Sequence, residues 1–169
     1  MFVIDNTVLS NFAAVEKMDT LVRILKGEAV VPEPVVNEFH YCRRFSRLEI
    51  GFPVVQITRE DLELFADSVS SLGFSGLGKG ELSCIFTVSI ENLADSVLTD
   101  DNLARKYCRK YKIEFHGSVH ILALGVKEHV HSLSEAEKLL SEMKCHGFWL
   151  KDRISVQEAL ELLCCRDNE

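Results

Sequence analysis

The sequence predicts an α/β fold, a three-layer α/β/α sandwich with a central parallel sheet. Short apolar runs typical of buried strands alternate with longer runs that have helical periodicity. Residues 81–90 form a predicted helix that is apolar on nearly every side, as expected where a helix is buried. Acidic residues follow the ends of several predicted strands. Strands that alternate with helices favour a parallel sheet covered on both faces.

Five short segments have the composition of strands. A proline, a glycine or an aspartate lies within two residues of each run and limits its length. The third segment is expected at an edge of the sheet. The predicted strands are Phe2–Ile4, Ala29–Val31, Val54–Ile57, Val97–Thr99 and Ile113–Phe115.

Helices fill the intervals, and several have recognisable first turns. Pro34 suits the first turn of the helix after the second strand. Thr58 and Ser132 are predicted N-caps, and residues 155–158 (SVQE) approximate a capping box. Phe148–Leu150 is predicted to be short and extended.

The helix after the fourth strand is amphipathic. Leu103, Tyr107 and Tyr111 recur at i, i+4 and i+8 and predict its inward face. Five cations lie between residues 105 and 112. One interpretation is that Asp100 is only the N-cap of this helix and that the cations form a solvated face.

The bulk composition indicates a single globular domain spanning residues 1–169, with 47% hydrophobic residues and a net charge of −7. No apolar run approaches the roughly 20 residues that span a bilayer. Residues 1–4 are apolar but too short for a secretory signal, so we expect a cytoplasmic protein. The six cysteines include no CxxC pair, which argues against structural zinc, and Cys84 and Cys108 are expected in the core.

The acidic balance argues against a general nucleic-acid binder, but the local charge distribution differs. Residues 42–47 hold three arginines, and residues 105–112 form a second basic patch. We therefore consider a polyanion as ligand. The candidate contacts to an RNA backbone are Arg43, Arg44, Arg47, Arg105, Arg109 and Lys110.

Acidic residues far apart in sequence are predicted to converge at one edge of the sheet. Asp5 follows the first strand, Glu38 lies early in the helix after the second, and Asp100 and Asp101 follow the fourth. Glu81 opens the buried helix. Ligands bind at the carboxyl ends of parallel strands. Individually, Asp5 could be a helix cap, Glu38 a surface residue and Glu81 a complement to its helix dipole.

Convergence of these acids would require a compensating charge. Two like charges about 4 Å apart cost roughly 4 kcal/mol at an effective dielectric of 20. A proton or a cation relieves that repulsion. All the candidate ligands are oxygens, so a hard cation fits best, Mg²⁺ or Mn²⁺. Such an ion polarises a phosphoryl group and activates water.

Five segments in this order resemble the PIN-domain nucleases. They are FVIDNTVLSNF (2–12), VVPEPVVNEF (30–39), GKGELSCIFTV (78–88), VLTDDNLARKY (97–107) and HGSVHIL (116–122). The resemblance is greatest to the archaeal and bacterial branch that includes the VapC-type toxins of toxin–antitoxin pairs. The segment GFWLKDRIS (147–155) also resembles one PIN subgroup.

The resemblance implies a PIN-like fold and a divalent-metal-dependent endoribonuclease. It implies that Asp5, Glu38, Glu81 and Asp101 are catalytic, metal-binding acids. Asp100 would be an accessory metal-binding acid and Thr7 a hydroxyl that supports the site. An antitoxin protein would be a partner. The sequence departs from the family pattern at Glu81, where many members have aspartate, and at Ser83, where one variant has a second acid.

Other functions are alternatives to a metal-dependent ribonuclease. The departure at Glu81 favours a catalytically inactive PIN-like module that binds RNA or protein, and a third possibility is an RNA-processing nuclease outside a toxin–antitoxin system. A receiver-like phosphoacceptor would need an acidic pair after the first strand. Residues 73–80 resemble a P-loop but lack its Ser or Thr. His116 and His120 are predicted to be structural, and exposed apolar positions suggest a homodimer.

Overall fold

The computed structural model describes residues 1–148 and 154–166. The predicted extended segment Phe148–Leu150 and the segment GFWLKDRIS lie partly outside the described residues. In chain order the elements are β1 (Phe2–Ile4), α1 (Asn6–Ala14), α2 (Met18–Leu25), β2 (Ala29–Pro32), α3 (Glu33–Tyr41), β3 (Val54–Val55), α4 (Arg59–Ser71), α5 (Lys79–Ser89), β4 (Ser96–Leu98), α6 (Asn102–Tyr111), β5 (Glu114–His116), α7 (Ser118–Lys127), α8 (Leu133–Cys145) and α9 (Val156–Arg166).

The five strands form one parallel sheet in the order β3-β2-β1-β4-β5. Phe2 of the central strand pairs with Ala29 of β2 on one side and with Ser96 of β4 on the other. The chain moves outward from β1 to β2 and β3, then crosses to β4 on the opposite side of β1. The strand order therefore reverses between β1 and β4, and the carboxyl ends of these strands flank a crevice where ligands bind in such sheets.

Helices cover both faces of the sheet, and the predicted three-layer α/β/α sandwich is confirmed. Right-handed crossovers place α1, α2 and α3 on one face and α4, α5 and α6 on the other. Contacts between α1 and α3, and between α5 and its neighbours α4 and α6, agree with this arrangement. Helices α7 and α8 join the first layer through contacts with α2 and α1.

Helix α5 is the most deeply buried helix of the second layer. It contacts β1, β2 and β4, and Cys84 and Ile85 in its middle are fully buried. Because its apolar residues surround the axis, water is excluded on nearly all sides, as the sequence predicted. The first turn of α5 is thereby fixed at the carboxyl edge of the sheet.

Several predicted details are confirmed by local hydrogen bonds. The side chain of Thr58 accepts from Asp61 N, and Ser132 and Glu135 form a capping box. Ser155 and Glu158 make reciprocal backbone bonds of the same kind. Cys84 and Cys108 are buried, as predicted. Within the described residues, no helix has both the length and the apolar character needed to cross a membrane.

Three local predictions were wrong. The third strand contains only Val54–Val55, because it pairs with β2 over two positions. Tyr111 is 37% exposed rather than inward, since α6 ends there and its ring packs on Tyr107 at 4.5 Å. The N-cap of α6 is Asp101, not Asp100.

Candidate active site

Asp5 lies at the centre of the candidate site. It follows β1, is 1% exposed, and occupies the N-cap position of α1 without making a side-chain capping bond. Its Oδ2 instead accepts from the hydroxyls of Thr7 at 2.7 Å and Thr99 at 2.9 Å. Its Oδ1 is buried and has no hydrogen-bond partner in the described structure. Burial raises the pKa of Asp5, although the two threonine bonds lower it.

Thr7 and Thr99 also hold the loop after β4 against Asp5. The Thr7 hydroxyl accepts from Asp100 N at 2.9 Å, and the Thr99 hydroxyl accepts from Asp101 N at 3.0 Å. Each threonine therefore donates to Asp5 and accepts from the loop. These bonds join the carboxyl ends of β1 and β4.

Glu38 reaches the same edge from α3. Its side chain is half-buried, and its Oε1 accepts from Gly80 N at 2.9 Å, at the first turn of α5. A Cβ on Gly80 would lie 2.5 Å from Glu38 Oε2, and a Cβ on Gly78 would lie 2.5 Å from Glu81 Oε2. The two glycines thus make room for two carboxylates at one helix N-terminus. Glu38 is not a simple surface glutamate.

The Glu81 carboxyl interacts electrostatically with the other acids. Burial, and after it the negative charges of Asp5, Glu38 and Asp101, raise the pKa of Glu81 to about 7, although one backbone hydrogen bond lowers it. Its Oε2 is buried without a hydrogen-bond partner in the described structure. A glutamate that only complemented its helix dipole would have its pKa lowered. The four acids therefore lie close enough to interact.

Asp101 both caps α6 and interacts with the acidic edge. Its Oδ1 accepts from Ala104 N at 2.7 Å and caps α6. Asp101 Oδ2 takes no part in the cap, and the negative charge of Asp101 raises the pKa of Glu81. Asp101 thus faces the acidic edge while anchoring the helix that follows.

Asp100 turns away from the other acids and is saturated by protein donors. Its oxygens accept from Arg105 Nη2 at 2.7 Å, Asn11 Nδ2 at 3.0 Å and the Ser118 hydroxyl at 2.6 Å. Arg105 also donates from Nε to Thr99 O at 2.9 Å. Both side chains are largely buried, with exposures of 8% for Asp100 and 16% for Arg105. This geometry favours a structural ion pair over the predicted metal ligation by Asp100 and RNA contact by Arg105.

The other predicted RNA contacts lie apart from the acids. Arg44 donates to Ala14 O, at the last residue of α1, while the first residue of α1 adjoins Asp5. A nine-residue helix is about 13 Å long, which places Arg44 at the opposite edge of the sheet. Arg43 and Arg47 are exposed in the same segment as Arg44.

Arg109 and Lys110 are exposed at the end of α6, and each lies over an aromatic ring. Arg109 lies 5.4 Å from the Phe115 centroid and Lys110 5.2 Å from that of Phe74. These contacts place the charged ends of the two exposed side chains over aromatic faces.

The acidic edge fits a hard divalent cation by its chemistry. Two buried carboxylate oxygens, Asp5 Oδ1 and Glu81 Oε2, have no protein donor, and an unsatisfied buried oxygen is costly. Within residues 1–148 and 154–166, no three acidic, histidine or cysteine side chains are close enough to form a finished ligand set. Ligation would require the carboxylates to draw closer, which like charges resist without a cation. Asp5, Glu38, Glu81 and Asp101 would hold the ion.

Sequence reasoning missed several residues that shape this edge. Thr99 was assigned to a strand, yet its buried hydroxyl links Asp5 to Asp101. Asn11 and Ser118 fix Asp100 from α1 and α7. Thr99 immediately precedes two aspartates, which was a usable signal, whereas nothing in the spacing of Asn11 or Ser118 indicated their contact.

The chain is thus a parallel α/β protein with carboxylates gathered where the strand order of its sheet reverses. Residues 1–163 match the model of the PIN-domain family. The chain belongs to the PIN-domain family, whose members are generally nucleases that use divalent metals. No curated protein and no solved structure gives a significant match to the chain.

The Asp100–Arg105 pair makes a testable contribution to stability. Arg105→Met leaves a buried carboxylate without its cation and should lower the free energy of unfolding by about 3 kcal/mol, as measured by urea denaturation. The matched control is Arg59→Met, because the Arg59–Glu63 pair is exposed by 86% and 60% and should contribute little. A drop in RNA binding with unchanged stability would instead support the predicted RNA contact.

The raised pKa of Glu81 predicts a pH dependence of stability in metal-free buffer. Between pH 4.5 and about 7 the folded protein keeps a proton on Glu81 that the unfolded chain has released. Stability from this group is complete below that window and lost as the pH rises through it. Glu81→Gln should flatten this decline in urea unfolding midpoints, whereas the exposed control Glu91→Gln should retain it. An equal decline in both variants would contradict the assignment.

Proposed function

We propose that the protein is a divalent-metal-dependent endoribonuclease that hydrolyses RNA phosphodiester bonds, with Mg²⁺ or Mn²⁺ held by Asp5, Glu38, Glu81 and Asp101. The observation that carries this proposal is the pair of buried, unpartnered oxygens Asp5 Oδ1 and Glu81 Oε2. They belong to acids from different elements that meet where the strand order reverses. Membership in a family of nucleases supports the same reaction class.

Each acid would have a defined part in the reaction. Asp5 is held in one orientation by Thr7 and Thr99, so its free oxygen points in a fixed direction. Glu38 is held by Gly80 N, and Asp101 by its own helix cap. When bound, a divalent ion would supply charge that stabilises the transition state and would make water more acidic. Glu81, with a pKa of about 7, is only partly ionised near neutral pH, and a bound cation would favour its ionised form.

We further propose that the enzyme is the toxin of a toxin–antitoxin pair acting in the cytoplasm, with an antitoxin protein as partner and a homodimer as its assembly. Support comes from the sequence resemblance to the VapC-type branch and from exposed apolar side chains such as Leu64 on α4, which is 63% exposed. An RNA-processing nuclease without an antitoxin is the alternative. Co-purification of the chain with the product of an adjacent small gene distinguishes the two.

Removal of one acid should abolish cleavage without unfolding the protein. Asp5→Asn keeps an oxygen that accepts from Thr7 and Thr99, and Asp101→Asn keeps a good helix N-cap. Both variants should therefore fold but lose Mn²⁺-dependent cleavage of labelled RNA, measured by gel electrophoresis with and without EDTA. Asp67→Asn, on the exposed face of α4, should retain activity. Cleavage that survives in either site variant would reject the assignment.

Metal binding should stabilise the folded state. Millimolar Mn²⁺ should raise the melting temperature because a ligand that binds only the native state adds to its stability. The gain should disappear in Asp101→Asn and persist in Asp67→Asn, as measured by differential scanning fluorimetry. If Mn²⁺ stabilises the protein but RNA stays intact, the inactive RNA- or protein-binding module is favoured, with Glu81 as the departure responsible.

A further inference from the structure

A cavity of about 240 Å³ adjoins the acidic edge on the side of β5. It lies between β5, α7 and α9 and is lined by Arg109, His116, His120, Ile154 and Leu162, among others; we call it the histidine cavity. Asp100 and Arg105 also line it, so its rim is continuous with the loop that carries Asp101. A ligand in this cavity would contact the loop that also carries Asp101.

The histidine cavity offers a cation to a phosphate. Arg109 lines it beside two imidazoles, while Arg105 is paired with Asp100 and His116 with Glu114 at 3.3 Å. The larger cavity beside Glu38, about 550 Å³, is lined by Glu33, Glu38 and Glu63 as well as by Lys79 and Arg59. Three carboxylates make that larger cavity a poorer site for an anion.

Flat and apolar surfaces in the histidine cavity suit a nucleobase. The rings of His116 and His120 stack with centroids 3.8 Å apart and an interplanar angle of 16°. His116 lies in β5 and His120 in α7, and the turn at Gly117 brings them together. Ile154 and Leu162 are apolar lining residues on the α9 side of the cavity, here called the α9 wall, with exposures of 41% and 61%. Single-stranded RNA is bound by stacking on such planar groups and by nearby cations.

We propose that the histidine cavity binds one nucleotide of the RNA next to the bond that is cleaved, with the base between the histidine rings and the α9 wall and a phosphate near Arg109. This subsite rests on the proposed ribonuclease function. It also gives α9 a role in substrate selection, since Leu162 lies in this final helix and Ile154 lies just before it.

Binding is best tested with fluorescein-labelled single-stranded RNA and fluorescence anisotropy in EDTA, which separates binding from metal-dependent cleavage. Leu162→Glu places a negative charge on an exposed wall position and should weaken binding by about fivefold or more, the lower end of one base-stacking contact. The matched control is Ile90→Glu at the end of α5, which is 54% exposed and does not line the cavity and should therefore bind normally.

Two further variants test whether the His120 ring and the Arg109 guanidinium contribute to RNA binding. His120→Ala and Arg109→Met should each weaken RNA binding, whereas Arg23→Met, which lines a different cavity, should not. Because His120→Ala could disturb packing, melting temperatures accompany each measurement. Titration with adenosine 5′-monophosphate should shift the ring NMR signals of His116 and His120 but not those of His129 and His146.

Each outcome separates the subsite from the proposed activity. If wild type cleaves RNA and Leu162→Glu binds as tightly as wild type, the subsite is wrong and the nuclease assignment stands. If Leu162→Glu binds weakly but wild type never cleaves, the subsite stands and the nuclease assignment is wrong. Displacement of RNA by poly-glutamate as readily as by unlabelled RNA would assign the cavity to an acidic polypeptide and overturn the nucleotide proposal.

Discussion

The candidate site depends on one carboxylate that the fold removes from water. Asp5 is 1% exposed, yet its Oδ1 has no hydrogen-bond partner in the described structure. Desolvation of a charge is expensive, and the hydroxyls of Thr7 and Thr99 offset only part of that cost on the other oxygen. The same hydroxyls hold the backbone of residues 100 and 101, so the orientation of Asp5 and the path of the loop after β4 are set together.

The acids around Asp5 oppose the stability of the fold. Glu81, Glu38 and Asp101 come from separate elements. The negative charges of Asp5, Glu38 and Asp101 raise the pKa of Glu81. A protein selected only for stability would not gather like charges at a buried edge. Such an arrangement is typical of a functional site, because its strain is relieved by the ligand that the site binds. The glycines at 78 and 80 serve this arrangement by leaving room for two carboxylates.

Basic residues that look alike in sequence have different roles in the fold. Arg105 is largely buried and is paired with Asp100 where it lines the histidine cavity, while Arg109, one turn further along α6, lines the same cavity with an exposed side chain. Arg44 bonds to the end of α1 at the opposite edge of the sheet. A count of cations in a stretch therefore indicates that a polyanion could bind but not where. The position of the histidine cavity depends on α9, which is distant in sequence from every predicted RNA contact.

The sequence by itself determined the parallel α/β fold, because the alternation of apolar strands and amphipathic helices leaves few other ways to bury the core. It also predicted four acids at one edge, since residues that follow parallel strands share that edge. Only the tertiary structure decided which aspartate faces the site: Asp100 and Asp101 are neighbours, but Asn11 and Ser118 draw the first aside. The Asn11–Asp100 contact joins residues 89 positions apart and the Ser118–Asp100 contact joins residues 18 positions apart, and no local pattern records either. The stacking of His116 on His120 has the same origin, in a turn between a strand and a helix.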